Sequence, residues 1–446
     1  MALTALDIFK NLPKTNCKDC GVPTCLAFAM QLAAKKVELS KCPHITEQGK
    51  AALESASAPP VRLITIGDNE KKVEVGNETV LFRHEETFYH EPGIGILVSD
   101  SLPESELVEK VRTINGKHYE RVGFTIGVNL VVLKNDSGDA SRFASAAEKA
   151  QGASQLPLVL MTEHPGAMKA AAEKIKNRKP LLYGITSATI DSIAPIAAEM
   201  CLPVVITAPV EELPALTQKA RQLGVVDMVL EPKSEGLTHQ LEDFTRLRRA
   251  QLKKNFREVG FPLLVNAADS DDPHLETNRA ACFTAKYASI IIISGYEDWQ
   301  LLPLLTVRQN IYTDPQKPIQ VKPGIWEVGK PGPDSPVLVT TNFSLTYYTV
   351  EGEVTASRIP SYILVMDTEG TSVLTSWAAE KFTVEMIAGK LNESGGIGDK
   401  VKHRKVIIPG LVAVMTAKLR EESGWDVLVG PREATGITKF LKSLPA

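Results

Sequence analysis

The chain has 446 residues, 50 lysines and arginines against 53 aspartates and glutamates, and a formal net charge of −3. One hydrophobic core rarely serves so long a chain, so two or three domains are expected. The two charge signs are interspersed and no run nears the roughly 18 apolar residues of a membrane span. This argues against nucleic-acid and membrane partners and for a soluble, cytoplasmic protein.

The opening MALTALDIFKNLP has no charged segment followed by an apolar one, so it does not read as a secretory signal. Residues 1–57 are expected to form a small unit with a trailing linker. Thr4 caps a short helix ending near Leu12, and a second helix runs from about Thr24 to Leu39 with Leu26, Met30, Ala33 and Val37 as its apolar stripe. Between and after these helices lie Cys17, Cys20, Cys25 and Cys42, spaced C-x2-C-x4-C-x16-C. Four of the six cysteines within 26 positions is the distribution of a ligand cluster rather than of a secreted disulfide framework. Four thiolates suit the corners of an iron–sulfur cubane, Gly21 lets the backbone bend beside sulfur, and loop N–H groups can point at the cluster. Structural zinc is the alternative, although it usually presents two C-x2-C knuckles and this chain has one. Cys201 and Cys282, among apolar neighbours, read as buried core thiols.

Lys50 to Pro60, KAALESASAPP, reads as a linker, and RLITIGDNEKKVEVGNETVLF as a strand hairpin. From Gly93 to Ser294 eight apolar runs alternate with helical patterns: GIGILV, GFTIGV, LPLVLM, PLLYGI, LPVVIT, VVDMVL, FPLLVN and ASIIIIS. Such runs followed by amphipathic helices indicate parallel strands buried on both faces. Eight of them suit a TIM (β/α)8 barrel, spanning about residues 58–328, with an open doubly wound sheet as the alternative. Polar residues at the expected strand ends are Asp100, Glu163 with His164, Thr186, Glu231, Asn266 and Asp269; positioning or partner binding suits them better than catalysis.

Gly329 to Pro336, GKPGPDSP, marks a break before a third unit, residues 329–446. Its strand candidates PVLVTT, SYILVMD, RKVIIP and WDVLVG, the last three each followed by a glycine-bearing loop and a helix, describe a compact Rossmann-like domain. No Walker A motif and no G-x-G-x-x-G after a strand is present, so nucleoside triphosphate and nicotinamide readings lose their support. Gly395-Gly396-Ile397-Gly398 reads as a flexible loop. The strand-end loops carry Thr340-Thr341-Asn342, Asp367 to Val373, Pro409-Gly410-Leu411 and Gly430 to Glu433. They read equally as ordinary turns or as backbone laid open to a large ligand whose amides or phosphate the hydroxyls and N–H groups would bind.

NCKDCGVPTCLAFAMQLA with Cys42-Pro43, the barrel-like middle and the glycine-looped end resemble, along essentially the whole chain, the large (gamma) subunit family of corrinoid iron–sulfur proteins of the acetyl-CoA pathway. The resemblance implies an α/β protein with a small N-terminal cluster domain, a central barrel and a C-terminal corrinoid-binding domain. It places Cys17, Cys20, Cys25 and Cys42 on a 4Fe–4S cluster. It places Thr340, Thr341, Asn342, Thr346, Gly370, Thr371, Ser372, Val373, Leu374, Thr375, Gly410, Leu411, Val412, Gly430, Pro431, Arg432, Glu433 and Ala434 on a cobalamin-type cofactor. The implied role is a methyl carrier: cobalt takes a methyl group from methyltetrahydrofolate on a separate methyltransferase and delivers it to acetyl-CoA synthase/CO dehydrogenase, while the cluster reactivates Co(II) to Co(I). Implied partners are a homologous small subunit in a heterodimer and a ferredoxin-like donor, with the 50–60 linker as hinge for the N-terminal domain. No D-x-H-x-x-G motif is present and His403 reads as a solvated surface residue, which fits a base-off corrinoid without a protein axial ligand. Two rivals stand beside this reading: a plain electron-transfer subunit, and a methyltransferase whose own barrel acts on a methyl-pterin.

Overall fold

The computed structural model describes residues 5–34, 36–46, 49, 53, 59–88, 90–313 and 318–444. Thr4 and most of the expected 50–60 linker lie outside the described residues. The chain packs as two compact units: Met1–Leu81, Tyr89–Arg112 and Asn129–Ser294 form one, and Phe82–Phe88, Thr113–Val128 and Gly295–Ala446 the other. Among the described residues no helix is long and apolar enough to cross a membrane.

In the first unit, helices Ala5–Lys10 and Cys25–Ala33 carry the N-terminal segment. The second helix is shorter than expected, and of its expected stripe Ala33 and Val37 pack on the core while Leu26 and Met30 face outward. Phe28 and Ala29 are buried, whereas Leu26 and Met30 are 40% and 60% exposed. Cys25 at the first helical position fixes this rotation, because its thiol points into the small core with Ile8, Leu12 and Phe28.

Strands β1 (Ile64–Ile66) and β2 (Val73–Val75) form the expected antiparallel hairpin. The barrel follows as β3 (Gly93–Ser99), then, after a second hairpin β4 (His118–Arg121) and β5 (Phe124–Gly127), β6 (Leu130–Lys134), β7 (Leu158–Met161), β8 (Leu181–Ile185), β9 (Val204–Ala208), β10 (Met228–Pro232), β11 (Leu264–Asn266) and β12 (Ile290–Ile293). All pairings are parallel, in the order β10-β9-β8-β7-β6-β3-β12-β11, and a parallel bridge between Leu230 and Leu263 brings the outer strands together. This is a nearly closed eight-stranded barrel with helices on its outside. The count of eight holds, but GFTIGV is not among the eight. Its apolar residues form β5, where Phe124 is half exposed, and the second barrel strand is the LVVLK run that follows. Hairpin β1–β2 plugs the amino end of the barrel: Ile64, Ile66, Val73 and Val75 pack on Leu130, Val159 and Leu181, and Gly67 N–H donates to Lys179 O at 2.9 Å.

In the second unit, hairpin β4–β5 engages helix Asp298–Tyr312. Asp298 accepts from Lys117 Nζ (2.7 Å) and Tyr119 OH (2.6 Å), and Arg121 donates to Gln309 Oε1 at 2.5 Å. These bonds explain why this helix, expected in the barrel, groups with the later residues. The sheet there comprises β13 (Gly324–Val328), β14 (Val337–Thr341), β15 (Ser361–Met366), β16 (Lys405–Ile408) and β17 (Asp426–Val429), in the order β13-β15-β14-β16-β17. The four expected strands are parallel, as a Rossmann-like sheet requires, and β13 adds an antiparallel edge that starts ahead of the expected break at Gly329. Two helix-side layers of side chains cover its faces, with Phe382 and Trp425 in one and Tyr347 and Val354 in the other. The expected flexible glycine loop instead leads into a short helix, Ile397–Lys400, anchored by fully buried Ile397.

Candidate functional site

The cysteine loop winds tightly. Lys14, Asn16, Lys18 and Gly21 all adopt left-handed φ, from 51° to 78°, so the chain folds back on itself around Cys17 and Cys20. Asn16 Oδ1 accepts from the Cys25 N–H at 2.8 Å, and Thr24 Oγ1 caps the helix through the Ala27 N–H at 3.1 Å. Cys25 and Cys42 are buried in one apolar core against which Cys20 packs, and Cys17 is exposed. The ligating atoms of Cys17, Asp19 and His44 lie within 4.8 Å of one another. His44 Nε2 meets Asp19 at 2.6 Å and holds that carboxyl below the usual carboxylate range. Cys201 and Cys282 correct the core-thiol expectation. Cys201 is exposed at a left-handed C-cap where the chain leaves helix Ile190–Met200, and Cys282 is half-buried.

In the C-terminal sheet the strand order reverses between β14 and β16. A cleft of about 370 Å³ opens at the carboxyl ends of the strands there, the place where open α/β sheets bind ligands. Of the residues singled out in the sequence, Thr340, Thr346, Ser372, Val373, Leu374, Leu411 and Gly430 to Ala434 line it. The hydroxyls of Thr340, Thr341 and Ser344 are buried without a hydrogen-bond partner among the described residues. Leu345 and Leu374 stand about half exposed at the rim. Loops 409–411 and 430–432 touch: Gly410 N–H donates to Pro431 O at 3.1 Å, and a Cβ on Gly410 would fall 2.5 Å from Gly430 O.

Asn342, Gly370 and Thr371 do not line the cleft; they build it. Asn342 Oδ1 accepts from Thr368 N–H (3.0 Å), Thr368 Oγ1 (2.9 Å) and Gly370 N–H (3.0 Å), and its Nδ2 donates to Asp367 (3.1 Å) and Gln320 (3.3 Å). The amide thus ties the end of β14 to the loop after β15. Thr371 Oγ1 donates to Thr368 O, and Thr341, Thr375, Gly410 and Val412 also lie off the lining. Sequence reasoning missed the inner wall, Thr349, Val350, Ile437 and Phe440, which comes from helices Ser344–Ser357 and Ile437–Ser443. The apolar positions of these helices carried no signal to separate cleft from core. His403 is half-buried rather than solvated. Its Nδ1 accepts from the Lys405 N–H, so Nε2 donates to Ser335 O at 2.9 Å, beside the amino end of β16 and away from the cleft.

A cavity of about 650 Å³ occupies the carboxyl end of the barrel, and Glu163, Thr186, Glu231, Asn266 and Asp269 line it. Glu231 Oε2 accepts from Tyr183 OH (2.5 Å) and Thr207 Oγ1 (2.6 Å). Burial raises both the Glu231 carboxyl and the Tyr183 phenol above their ordinary values. Asp100 and His164 serve the backbone instead. Asp100 accepts from the N–H groups of Asp136 and Ser137, and His164 Nδ1 caps helix Pro165–Ile175. Tyr183 and Thr207 of this cavity were not singled out, because β8 and β9 are buried on both faces and show no alternation to mark the inward side, and Arg279 reaches it from helix Pro273–Ala285 rather than from a strand end.

A family model described as CO dehydrogenase/acetyl-CoA synthase delta subunit matches residues 63–441, and one described as a putative Fe-S cluster matches residues 12–44. The chain is 44% identical over 99% of both chains to the corrinoid/iron-sulfur protein large subunit of Moorella thermoacetica. It is 37% identical to the acetyl-CoA decarbonylase/synthase complex subunit gamma of Methanothermobacter thermautotrophicus, over 100% of this chain and 99% of the other. Among solved structures, dihydropteroate synthase from Thermus thermophilus aligns over 56% of this chain and all of its own, with a TM-score of 0.41 and 16% identity.

Proposed function

The chain belongs to the corrinoid/iron–sulfur protein large-subunit family, and on that premise we propose that it is a methyl-group carrier holding a corrinoid on its C-terminal sheet and a 4Fe–4S cluster at its amino end. The observation that carries the reading is the cleft itself: at a sheet switch point it is lined by the buried Thr340 hydroxyl, which has no partner among the described residues, beneath an apolar rim. A corrin fits such a lining, because its fringe of neutral amides can pair the hydroxyls of Thr340 and Ser372 while its hydrocarbon face covers Leu345 and Leu374. The cleft is smaller than a corrin, so its lining and the Leu345–Leu374 rim would together hold the cofactor. When bound, the corrinoid supplies the cobalt that takes a methyl group from methyltetrahydrofolate on a separate methyltransferase and yields it to acetyl-CoA synthase, with the cluster supplying the electron that restores oxidised cobalt.

The chain's own residues do the rest. Cys17, Cys20, Cys25 and Cys42 ligate the cluster, and their four-thiol set without a second C-x2-C favours iron–sulfur over zinc. Asn342 holds the loop after β15 in place, and Gly410 lets the loops after β16 and β17 meet at the cleft. His403, both ring nitrogens engaged elsewhere, supports a corrinoid held without a protein lower ligand, which eases its reduction. The match to a model described for a delta subunit, beside relatives named gamma, supports pairing with a homologous second subunit. A ferredoxin-like protein in the cytoplasm is the proposed electron donor.

Anaerobically purified heterodimer is expected to carry about one cobalt per about four irons, with a base-off Co(II) EPR signal. Iron without cobalt would overturn the carrier reading in favour of plain electron transfer. Methylation of its cobalt from methyltetrahydrofolate without an added methyltransferase would favour a barrel that performs the transfer itself. Cys20→Ala is expected to leave methyl transfer from pre-reduced protein intact and to abolish reactivation after oxidation; equal loss of both would make the cluster structural.

A further inference from the structure

We propose that the mouth of the barrel binds a small neutral heterocycle presenting a ring N–H beside a carbonyl, with Glu231 accepting the N–H and Asn266 donating to the carbonyl. This site is separate from the corrinoid cleft and does not rest on the methyl-carrier reading. Its cavity, about 650 Å³, is of the size that holds a small organic ligand.

The argument starts from Glu231, only 8% exposed at the end of β10. Two hydroxyls, those of Tyr183 and Thr207, reach it from β8 and β9, and both end on Oε2. Oε1 therefore has no donor among the described residues. The nearby cations are already engaged. Arg279 pairs with Asp269 and donates to Gln240 Oε1 at 2.9 Å, and Lys134 pairs with Asp136 at 2.7 Å; Lys233 stands at the exposed rim. A buried carboxyl with one unserved oxygen calls for an N–H donor. Phosphate or carboxylate would instead meet Glu163, Glu231 and Asp269 together.

Asn266 supplies the second half of the pattern from β11, the strand next to β10. Its Oδ1 accepts from the Ala268 N–H at 3.1 Å, so the amide turns its Nδ2 toward the cavity beside the Tyr183 hydroxyl. An acceptor and a donor on adjacent strands match a lactam edge, in which N–H and C=O are neighbours. The two hydroxyl donors on Oε2 favour the ionised carboxylate, the form whose Oε1 accepts an N–H.

The test is calorimetric titration of the full-length holoprotein with isocytosine, 2-aminopyrimidin-4-one, which carries this edge on a small ring. Wild-type protein is expected to bind it. Ring-N-methylated isocytosine is expected not to bind. Glu231→Gln is expected to weaken binding about tenfold, because Tyr183 and Thr207 would hold the new carbonyl oxygen and turn the amide NH2 against the ligand's N–H. Asn266→Ser gives an independent variant with the same expected direction. Displacement by guanosine would assign a nucleoside and displacement by tetrahydrofolate a pterin, and both support the site. Absence of isocytosine binding to wild-type protein, equal binding of the methylated ring, or equal affinity in both variants would overturn the proposal. Cobalt and iron contents, unchanged throughout, keep this result distinct from the test of the methyl carrier.

Discussion

The barrel mouth and the C-terminal cleft both lie at the carboxyl ends of parallel strands, yet they treat their polar groups oppositely. In the mouth, Tyr183 and Thr207 serve Glu231 while Asp269 and Gln240 serve Arg279, so charge is held inside a prearranged network. In the cleft, the buried Thr340 hydroxyl is uncharged and has no partner among the described residues. The difference teaches what each can take. A network of charged groups selects a small ligand by the one edge left open, whereas an unpaired hydroxyl under an apolar rim suits a large neutral one that brings its own partners.

The largest expected effect breaks the cleft alone. Gly410→Val would drive a side chain into Gly430 O and Arg432 N, forcing the two loops apart, and cobalt retention is expected to fall about tenfold or more while isocytosine binding at the barrel stays unchanged. A matched pair of substitutions then sharpens the contrast. Thr207→Val deprives Glu231 of a donor and is expected to cost about 1–2 kcal/mol, read as a lowered unfolding midpoint. Thr340→Val removes an equally small hydroxyl that has no partner among the described residues. It is expected to leave the cofactor-free protein within about 0.5 kcal/mol of wild type, and to weaken cofactor binding about fivefold.

The smallest effect is a slope. Glu231 and Glu78 both have carboxyls raised above the ordinary 4.5, chiefly by burial, so the folded state binds more protons than the unfolded one above that pH. Their contribution to stability is complete below pH 4.5 and is lost as pH rises through the folded-state values. Melting curves are expected to show the midpoint falling across this window, and Glu231→Gln to flatten part of the fall. An unchanged slope in that variant would mean that the carboxyl is ionised in the folded protein.

Much of this contrast was legible in the sequence because strand ends are legible. Runs such as SYILVMD and WDVLVG announce parallel strands, and the loops after them must share one edge, which located Thr340, Ser372 and Gly430 to Glu433. The limits were equally physical. GFTIGV and NLVVLK are both short apolar runs, and only packing shows that Phe124 faces solvent while Val131 and Val132 are buried. Leu26 and Met30 have helical spacing but lie outward, because Cys25 and Phe28 fix which side of the helix turns in. Asn342 read as a cofactor contact since nothing in the sequence reveals that five hydrogen bonds already occupy its amide.

The pairing of Arg121 with Gln309 spans 188 positions, and this has a consequence for biosynthesis. The hairpin Phe124 belongs to leaves the ribosome long before helix Asp298–Tyr312 exists to receive it. At ordinary elongation rates the wait is about 10 to 40 s. An isolated two-stranded hairpin is barely stable in water, so throughout that interval the nascent chain carries a half-made docking element with an exposed aromatic ring. The hairpin's wait for its partner therefore lasts until residues 298–312 have been made.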